Sequence, residues 1–127
     1  MNAAADPLGV ERLAEVANPD PALRRRGRYV STRFLVGVGP DSYLVEVDRG
    51  EVRSVEKGPL VMPSWTFALR APSAAWAKFW SAAPPPGSHD LFAMIKSREL
   101  TVEGDLHPFM ANLFYFKMLL SSLRARP

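Results

Sequence analysis

The alternation of apolar and polar positions is clearest near the C-terminal end of the chain. Leu100 begins an alternating run that predicts a half-buried strand, and Gly104 permits a sharp turn out of it. Asp105 then offers a carboxylate to the free amides at the start of a helix, and Pro108 fits the first turn of that helix. The spacing of apolar residues predicts one long helix that continues to Leu123.

This last helix is apolar on nearly all of its sides. A 3.6-residue period places one set of apolar side chains on a main face, which we expect to pack on the core. A second set lies outside that face, so another helix, a second subunit or an apolar ligand should cover it. Lys117 falls on the main face, where its stem should pack; its ammonium should reach water or meet a carboxylate or phosphate head group at the mouth of a cavity. The main-face residues are Leu106, Phe109, Met110, Leu113 and Leu120, and the others are Phe114, Tyr115, Met118 and Leu119.

A period of two dominates the first half of the chain. Tyr29 begins a run of alternating apolar residues that ends near Lys57, and glycine-containing turns interrupt it twice, so we expect three strands joined as hairpins. In the third strand Val52 and Val55 break strict alternation, which predicts a bulge or a weakly buried edge. A loop with two prolines follows, and Trp65 opens a fourth strand.

Prolines and aspartates mark the helices that flank these strands. Asp6 and Pro7 predict the start of an N-terminal helix that ends by Asn18. Pro72 opens a helix with an aromatic face, three consecutive prolines end it, and Asp90 opens a further short helix. We therefore expect an α+β fold in which a five-stranded, mostly antiparallel sheet packs against helices.

Length and composition are those of one folded domain. The chain has 127 residues, of which 47% are hydrophobic and 23% are charged, enough for a single core and too few for two. We expect one domain over residues 1–127, with an N-terminal helix and loop over 1–27 and the core over 28–124. No apolar run approaches the length of a membrane span, and the N-terminus does not read as a secretory signal, so a cytoplasmic location is the expectation.

The sequence offers little catalytic chemistry. It has no cysteine, which excludes a thiolate nucleophile, a disulfide and a cysteine metal site. The two histidines, His89 and His107, lack the spacing of metal ligands, and no serine lies in a nucleophile motif. Glu103 and Asp105 are the carboxylate pair best placed for acid and base roles, but a strand position and a helix cap explain them better. We expect no enzyme activity, no metal and no cofactor.

Arginines are concentrated in one region, although the net charge of the chain is only +3. Arg24, Arg25 and Arg26 are followed closely by Arg28 and Arg33, and such clusters can bind phosphates or the anionic surface of a bilayer. A solvated loop is the simpler interpretation. We expect at most a transient contact with anionic membranes through Arg24, Arg25 and Arg26, and no nucleic-acid partner.

A resemblance to a known family rests on the stretch LTVEGD, from Leu100 to Asp105. This stretch is followed by an apolar helix and preceded by Phe92 and Ile95 on a short helix, and the whole resembles the bacterial single-domain form of the sterol carrier protein 2 (SCP-2) family. The likeness extends in element order from Tyr29 to Leu123. It implies non-catalytic binding or transfer of a lipid, sterol-like or fatty acyl compound in an apolar cavity between the sheet and the helices.

The supply of aromatic and methionine side chains fits such a cavity, although core packing alone also accounts for them. Cavities for apolar ligands are lined by these residue types, and methionine adapts to irregular ligands. The alternative is a protein-interaction module whose apolar last helix pairs with a twin subunit, as a homodimer, or with a lipid- or quinone-modifying enzyme. The residues expected to bind the ligand are Trp65, Phe67, Trp76, Phe79, Trp80, Phe92, Phe109, Met110, Leu113, Phe114, Lys117 and Met118.

Overall fold

The computed structural model describes residues 9–61 and 63–125, and it has the predicted α+β architecture. Within these ranges every helix is too short or too polar to cross a bilayer. The strands are β1 (Thr32–Val38), β2 (Asp41–Asp48), β3 (Glu51–Lys57), β4 (Phe67–Ala71) and β5 (Thr101–Gly104). The α-helices are α1 (Leu13–Ala17), α2 (Pro21–Arg26), α3 (Ser73–Phe79), α4 (Leu91–Lys96), α5 (His107–Ala111) and α6 (Leu113–Ser121).

The N-terminal helix ends where the sequence predicts. A short 3₁₀ helix, Val10–Arg12, precedes α1, and α1 ends at Ala17. The predicted helix start at Asp6 and Pro7 lies outside the described residues. A second short helix, α2, follows, and the Asp20 carboxylate caps it by accepting hydrogen bonds from the amides of the first turn.

The five strands form one sheet in the order β3-β2-β1-β4-β5. β1 pairs antiparallel with β2 and parallel with β4, and the remaining two pairs are antiparallel, so the predicted mostly antiparallel sheet is confirmed. The predicted irregularity in β3 is also confirmed. Glu46 lies opposite Ser54 whereas Val47 lies opposite Val52, which leaves Arg53 as the extra residue of a bulge.

One face of the sheet carries the core. Phe34 and Phe67 lie on neighbouring strands, and their rings stack with centroids 5.2 Å apart. Phe116 of α6 meets both rings edge-on, at 5.3 and 5.2 Å. All three side chains are fully buried, and removing a ring of this size from water stabilises the fold by about 1.5–3 kcal/mol. Aromatic contacts therefore help to hold α6 to the sheet.

The prediction of a single long C-terminal helix is wrong, because the helix is interrupted at Asn112. This residue has φ −125° and ψ 35°, outside the helical region, and it separates α5 from α6. Its side-chain Nδ2 donates a hydrogen bond of 2.9 Å to the Pro108 carbonyl oxygen, which the backbone amide of Asn112 would take in a continuous helix. That amide turns instead to the Phe109 carbonyl oxygen, so the side chain compensates for the break.

The predicted main face of the last helix is only partly right, because Phe109 and Leu120 are fully buried but its other three members are not. Leu106 and Met110 were placed on that face but are 43% and 49% exposed, and Leu113 is only partly buried. Tyr115 and Leu119 were placed outside it but are fully buried. Because this segment is apolar on nearly all of its sides, its spacing does not single out the buried face, and the prediction chose a face rotated from the one that carries Phe109, Phe116 and Leu120.

Tyr115 joins three parts of the fold. Its hydroxyl donates a hydrogen bond of 2.9 Å to the Gly50 carbonyl oxygen in the β2–β3 turn. Its ring lies against Gly27 at the end of α2, so closely that a Cβ atom at Gly27 would collide with it. Gly50 has φ +82°, and a Cβ atom there would come within 2.9 Å of the Gly27 backbone. Burial raises the pKa of Tyr115, so its phenol stays protonated and keeps donating. We call these residues, Gly27, Gly50 and Tyr115, the glycine–tyrosine junction.

Substitution of Gly27 tests this junction. Gly27 has φ −97°, which alanine adopts readily, so Gly27→Ala should act only through the collision of its methyl group with the Tyr115 ring. We expect a loss of about 1–3 kcal/mol in the free energy of unfolding, measured by urea denaturation. Gly9→Ala is the matched control, because a Cβ atom at Gly9 has space. Equal unfolding midpoints for the two variants would mean that the ring does not pack tightly on Gly27.

Candidate ligand site at the helical elbow

The residues predicted to bind a ligand do not form one site. Some are packed in the core, one lies on the far side of the sheet, and the rest surround surface grooves near Asn112. The core group is Phe67, Trp76, Phe79, Trp80 and Phe109, and the groove group is Phe92, Met110, Leu113, Phe114, Lys117 and Met118.

The core group is fully used by the fold itself. Its side chains are between 0% and 6% exposed. The indole Nε1 of Trp76 donates to the Gly37 carbonyl oxygen at 2.8 Å, that of Trp80 donates to the Leu120 carbonyl oxygen at 2.9 Å, and the two indoles stack at 4.8 Å. The sequence predicts that these rings contact a ligand. In the structure they pack against one another and against the sheet. The apolar cavity enclosed between the sheet and the helices is not confirmed.

Trp65 is separated from the other predicted residues by the sheet. It shares a groove of about 400 Å³ with Leu35 and Arg70, neither of which belongs to the helix-facing core. Side chains alternate along a strand, and Phe34 and Leu69 point to the helices, so Leu35 and Arg70 point the other way. Trp65 therefore cannot line a site with the helix residues.

Two grooves meet at the break between α5 and α6, which we call the elbow. The larger has a volume of about 430 Å³ and the smaller about 190 Å³. Leu113 and Phe114 line both grooves, and Phe114 is 67% exposed, so its ring forms the wall between them. The larger groove is also lined by Arg26, Met110, Ala111, Asn112 and Tyr115, and the smaller one by Asp90, Phe92 and Lys117.

Arg26 is brought to this wall by the way in which α2 is anchored. The Asp20 cap fixes the start of the helix, Leu23 is 1% exposed in the core, and Gly27 lets the helix end close on Tyr115. Tyr115 is the next residue after Phe114. The Arg26 guanidinium consequently lies over the Phe114 ring, with Cζ 5.6 Å from the ring centroid, within the range of a cation–π contact.

A third cleft continues from this point along α2. It has a volume of about 420 Å³ and is lined by Ala22, Arg25, Arg26, Arg28 and Met118. Arg26 thus borders both the larger elbow groove and this cleft, which we call the arginine cleft. The positive charges and the exposed aromatic ring are neighbours, although the sequence showed them only as separate features.

On the other side of Phe114, the charge of Lys117 has a carboxylate partner. Lys117 Nζ lies 3.7 Å from Asp90 Oδ2, and His89 Nε2 lies 3.2 Å from the same oxygen. Asp90 also caps α4 by accepting a hydrogen bond of 2.9 Å from the Ala93 amide. Burial alone would raise the pKa of Asp90, but the Ala93 hydrogen bond and the charges of Lys117 and His89 lower it below its ordinary value. The charge of Lys117 is therefore partly neutralised. Its side chain is 41% exposed, so its ammonium reaches water while it lies beside a carboxylate.

The arginines of the chain fall into two groups. In one group each guanidinium lies between 2.8 and 3.9 Å from a carboxylate; its members are Arg12, Arg33, Arg49, Arg53 and Arg70. In the other group no carboxylate of the described residues lies within 4.0 Å; its members include Arg24, Arg25, Arg26 and Arg28. Cations are favoured in the last turn of a helix, which accounts in part for three of these positions.

Comparison with solved structures identifies the fold. A crystal structure of sterol carrier protein 2 matches with a TM-score of 0.74 over 100% of this chain and 98% of that chain, at 13% identity. The fold is that of sterol carrier protein 2. The resemblance predicted from the LTVEGD stretch is thus confirmed at the level of the fold, which is all that a likeness at this identity establishes.

Two further structures share the SCP-2 fold. A UbiJ-SCP2 ubiquinone synthesis protein matches over 88% of this chain and 90% of that chain, with a TM-score of 0.59 and 21% identity. Sterol carrier protein 2 from Yarrowia lipolytica matches over 90% of this chain and 85% of that chain, with a TM-score of 0.56 and 8% identity. A scan against protein-family models and a search of curated protein sequences find no match.

Substitution of Asp90 tests the charge cluster beside the smaller groove. The lowered pKa of Asp90 means that its contribution to stability is present above pH 3.8, its ordinary value, and is lost as pH falls through the lowered value. Asp90→Asn should therefore lower the free energy of unfolding by about 1 kcal/mol at neutral pH, and the gap to the wild type should close at lower pH. Urea denaturation across an acid pH series measures this gap. A gap that stays constant with pH would show that ionisation of Asp90 does not stabilise the fold.

Proposed function

We propose that this chain binds a hydrophobic small molecule, a lipid, sterol-like or fatty acyl compound, and carries it without chemical change. The observation that supports this most directly is the exposure of Phe114, a large aromatic side chain that stands between two grooves at the elbow. The SCP-2 fold adds support, because proteins described as sterol carriers have it. The proposed site is the elbow, not the enclosed cavity that the sequence predicted.

The elbow exposes apolar surface that a ligand would remove from water. Phe114 is joined by Phe92, Met110 and Leu106, which are 47%, 49% and 43% exposed. Covering apolar surface contributes about 25 cal/mol for each Å² that leaves the solvent. Met110 suits an irregular or chain-like ligand, because its unbranched side chain adapts to the shape of its neighbour. An acyl chain or a fused-ring body laid across Phe114 would contact both grooves.

The buried aromatic residues Phe109 and Phe67 pack between α5 and the sheet, beneath the proposed site. Phe109 is the fully buried residue of α5, and its ring lies 5.4 Å from that of Phe67 on the sheet. In this arrangement Phe67 and Phe109 hold α5 in place and do not reach the ligand. An outward movement of α5 about Asn112 would be needed to bring them into contact with it.

Phe114→Ala tests the proposed site, with Nile red as an uncharged fluorescent probe. We expect saturable binding to the wild type and about a tenfold loss of affinity in the variant, because a well-packed aromatic contact of this kind contributes on the order of 1–2 kcal/mol. The free energy of unfolding should change by no more than about 0.5 kcal/mol, since the side chain is largely in solvent. Tyr29→Ala is the matched control, because Tyr29 is an aromatic residue that is 87% exposed and lines none of the described grooves.

Absence of saturable Nile red binding, together with absence of lipid in organic extracts of the purified protein, would reject the carrier function. If the Phe114→Ala and Tyr29→Ala variants bind Nile red with equal affinity, the protein binds an apolar molecule, but its site is not at the elbow.

The second candidate is an interaction or accessory role, in which the elbow contacts a second copy of the chain or a lipid- or quinone-modifying enzyme. The exposed residues Leu106, Met110 and Phe114 favour it as well, and one structure with this fold is described as a ubiquinone synthesis protein. In the case of a homodimer, Phe114→Ala would convert dimer to monomer in sedimentation velocity and leave Nile red affinity unchanged. Those two outcomes separate the candidates.

A further inference from the structure

The unpaired arginines and the exposed apolar surface lie side by side at the elbow. Arg25, Arg26 and Arg28 line the arginine cleft, and Arg26 also touches the elbow groove through its contact with Phe114. No carboxylate of the described residues lies within 4.0 Å of these guanidiniums. The elbow is therefore positively charged on the α2 side and close to neutral on the other side, where Asp90 partners Lys117.

Because of this asymmetry, the apolar and the charged parts of a ligand fit different sides of the elbow. An apolar group fits over Phe114 toward Phe92, where the smaller groove is lined chiefly by apolar carbons. A negatively charged group fits on the α2 side, because guanidiniums without partners provide planar sets of N–H donors that match carboxylate and phosphate oxygens. Five other arginines of the chain have carboxylate partners, whereas Arg25, Arg26 and Arg28 lie together in one cleft with no such partner among the described residues.

We infer that the ligand is an anionic amphiphile, whose carboxylate or phosphate head group is held in the arginine cleft by Arg25 and Arg26 while its apolar part covers Phe114. This inference rests on the proposed function and adds the charge of the ligand and the residues that recognise it. Arg28 contributes less directly, since it donates a hydrogen bond of 2.7 Å to the Arg25 carbonyl oxygen. The cleft, at about 420 Å³, has room for either head group.

Displacement of Nile red by three compounds with the same alkyl chain tests the inference. The compounds are decanoate, decyl phosphate and n-decanol, used below the concentrations at which they form micelles. At least one of the two anions should displace the probe at about tenfold lower concentration than the alcohol, as expected for hydrogen bonds between charged groups. The anion with the lower half-displacement concentration identifies the head group. The preference should decrease as salt is added, because the arginines are exposed and their charges are screened.

A double variant with a matched control assigns the preference to the cleft. Arg25→Gln combined with Arg26→Gln should reduce the anion preference from about tenfold to about onefold. The preference is the ratio of the half-displacement concentrations of decanol and the anion on the same protein, so loss of the Arg26 contact with Phe114 affects both compounds alike. Arg12→Gln combined with Arg53→Gln removes the same net charge from arginines that already have carboxylate partners, and it should keep the preference. The salt series on the wild-type protein shows, without any substitution, whether the preference is electrostatic.

Each remaining outcome is decisive. Equal displacement by all three compounds would overturn the inference and leave the proposed function standing. No displacement by any of them would also overturn the inference, and the proposed function would then be decided by Nile red binding and lipid extraction. Loss of the preference for anions in both double variants would show that it depends on overall charge, and would overturn its assignment to the arginine cleft. In another outcome the wild-type protein shows no preference for the anions in displacement and yet sediments with vesicles that contain phosphatidylglycerol. If the Arg25→Gln, Arg26→Gln variant then fails to sediment, these arginines make the membrane contact predicted from the sequence, and the inference is overturned.

Discussion

The close approach of α2, the β2–β3 turn and α6 at the glycine–tyrosine junction determines the geometry of the elbow. Three backbone segments can meet there because two of them carry glycine and the third supplies a ring and a hydroxyl. The same contact that buries Tyr115 leaves its neighbour Phe114 in solvent and sets Arg26 above it. The elbow is thus a consequence of packing on the opposite side of α6, and its charges and apolar surface are positioned by buried atoms.

The core shows why a high aromatic content is ambiguous in a small domain. Trp76 and Trp80 satisfy their indole N–H groups on backbone carbonyls and stack on each other, so they need no ligand to complete their contacts. Phe114 has the same kind of side chain but lies on the solvent side of α6. Burial depends on the register of the helix, and residue type carries no information about that register.

Much of the fold could be predicted from local patterns. Alternation located the strands, glycines located the turns, and the lapse in alternation at Val52 and Val55 located the bulge. The elbow could not be predicted in this way, because helical continuity at Asn112 depends on a side-chain hydrogen bond to Pro108 that apolar spacing does not reveal. The sequence did mark the arginines, Phe114 and Lys117, yet their grouping follows from contacts between α2, α4 and α6 that are distant in the chain.

The shortness of α5 has a consequence for how this fold can diversify. Two of its five residues, Met110 and Ala111, line the larger groove, and a single buried ring, Phe109, ties the helix to the sheet. The length and side chains of this segment can therefore vary while the hydrogen bonding of the sheet stays the same. Grafting another α5 that keeps this buried ring onto the same scaffold is therefore a direct route to proteins that accept bodies of another size.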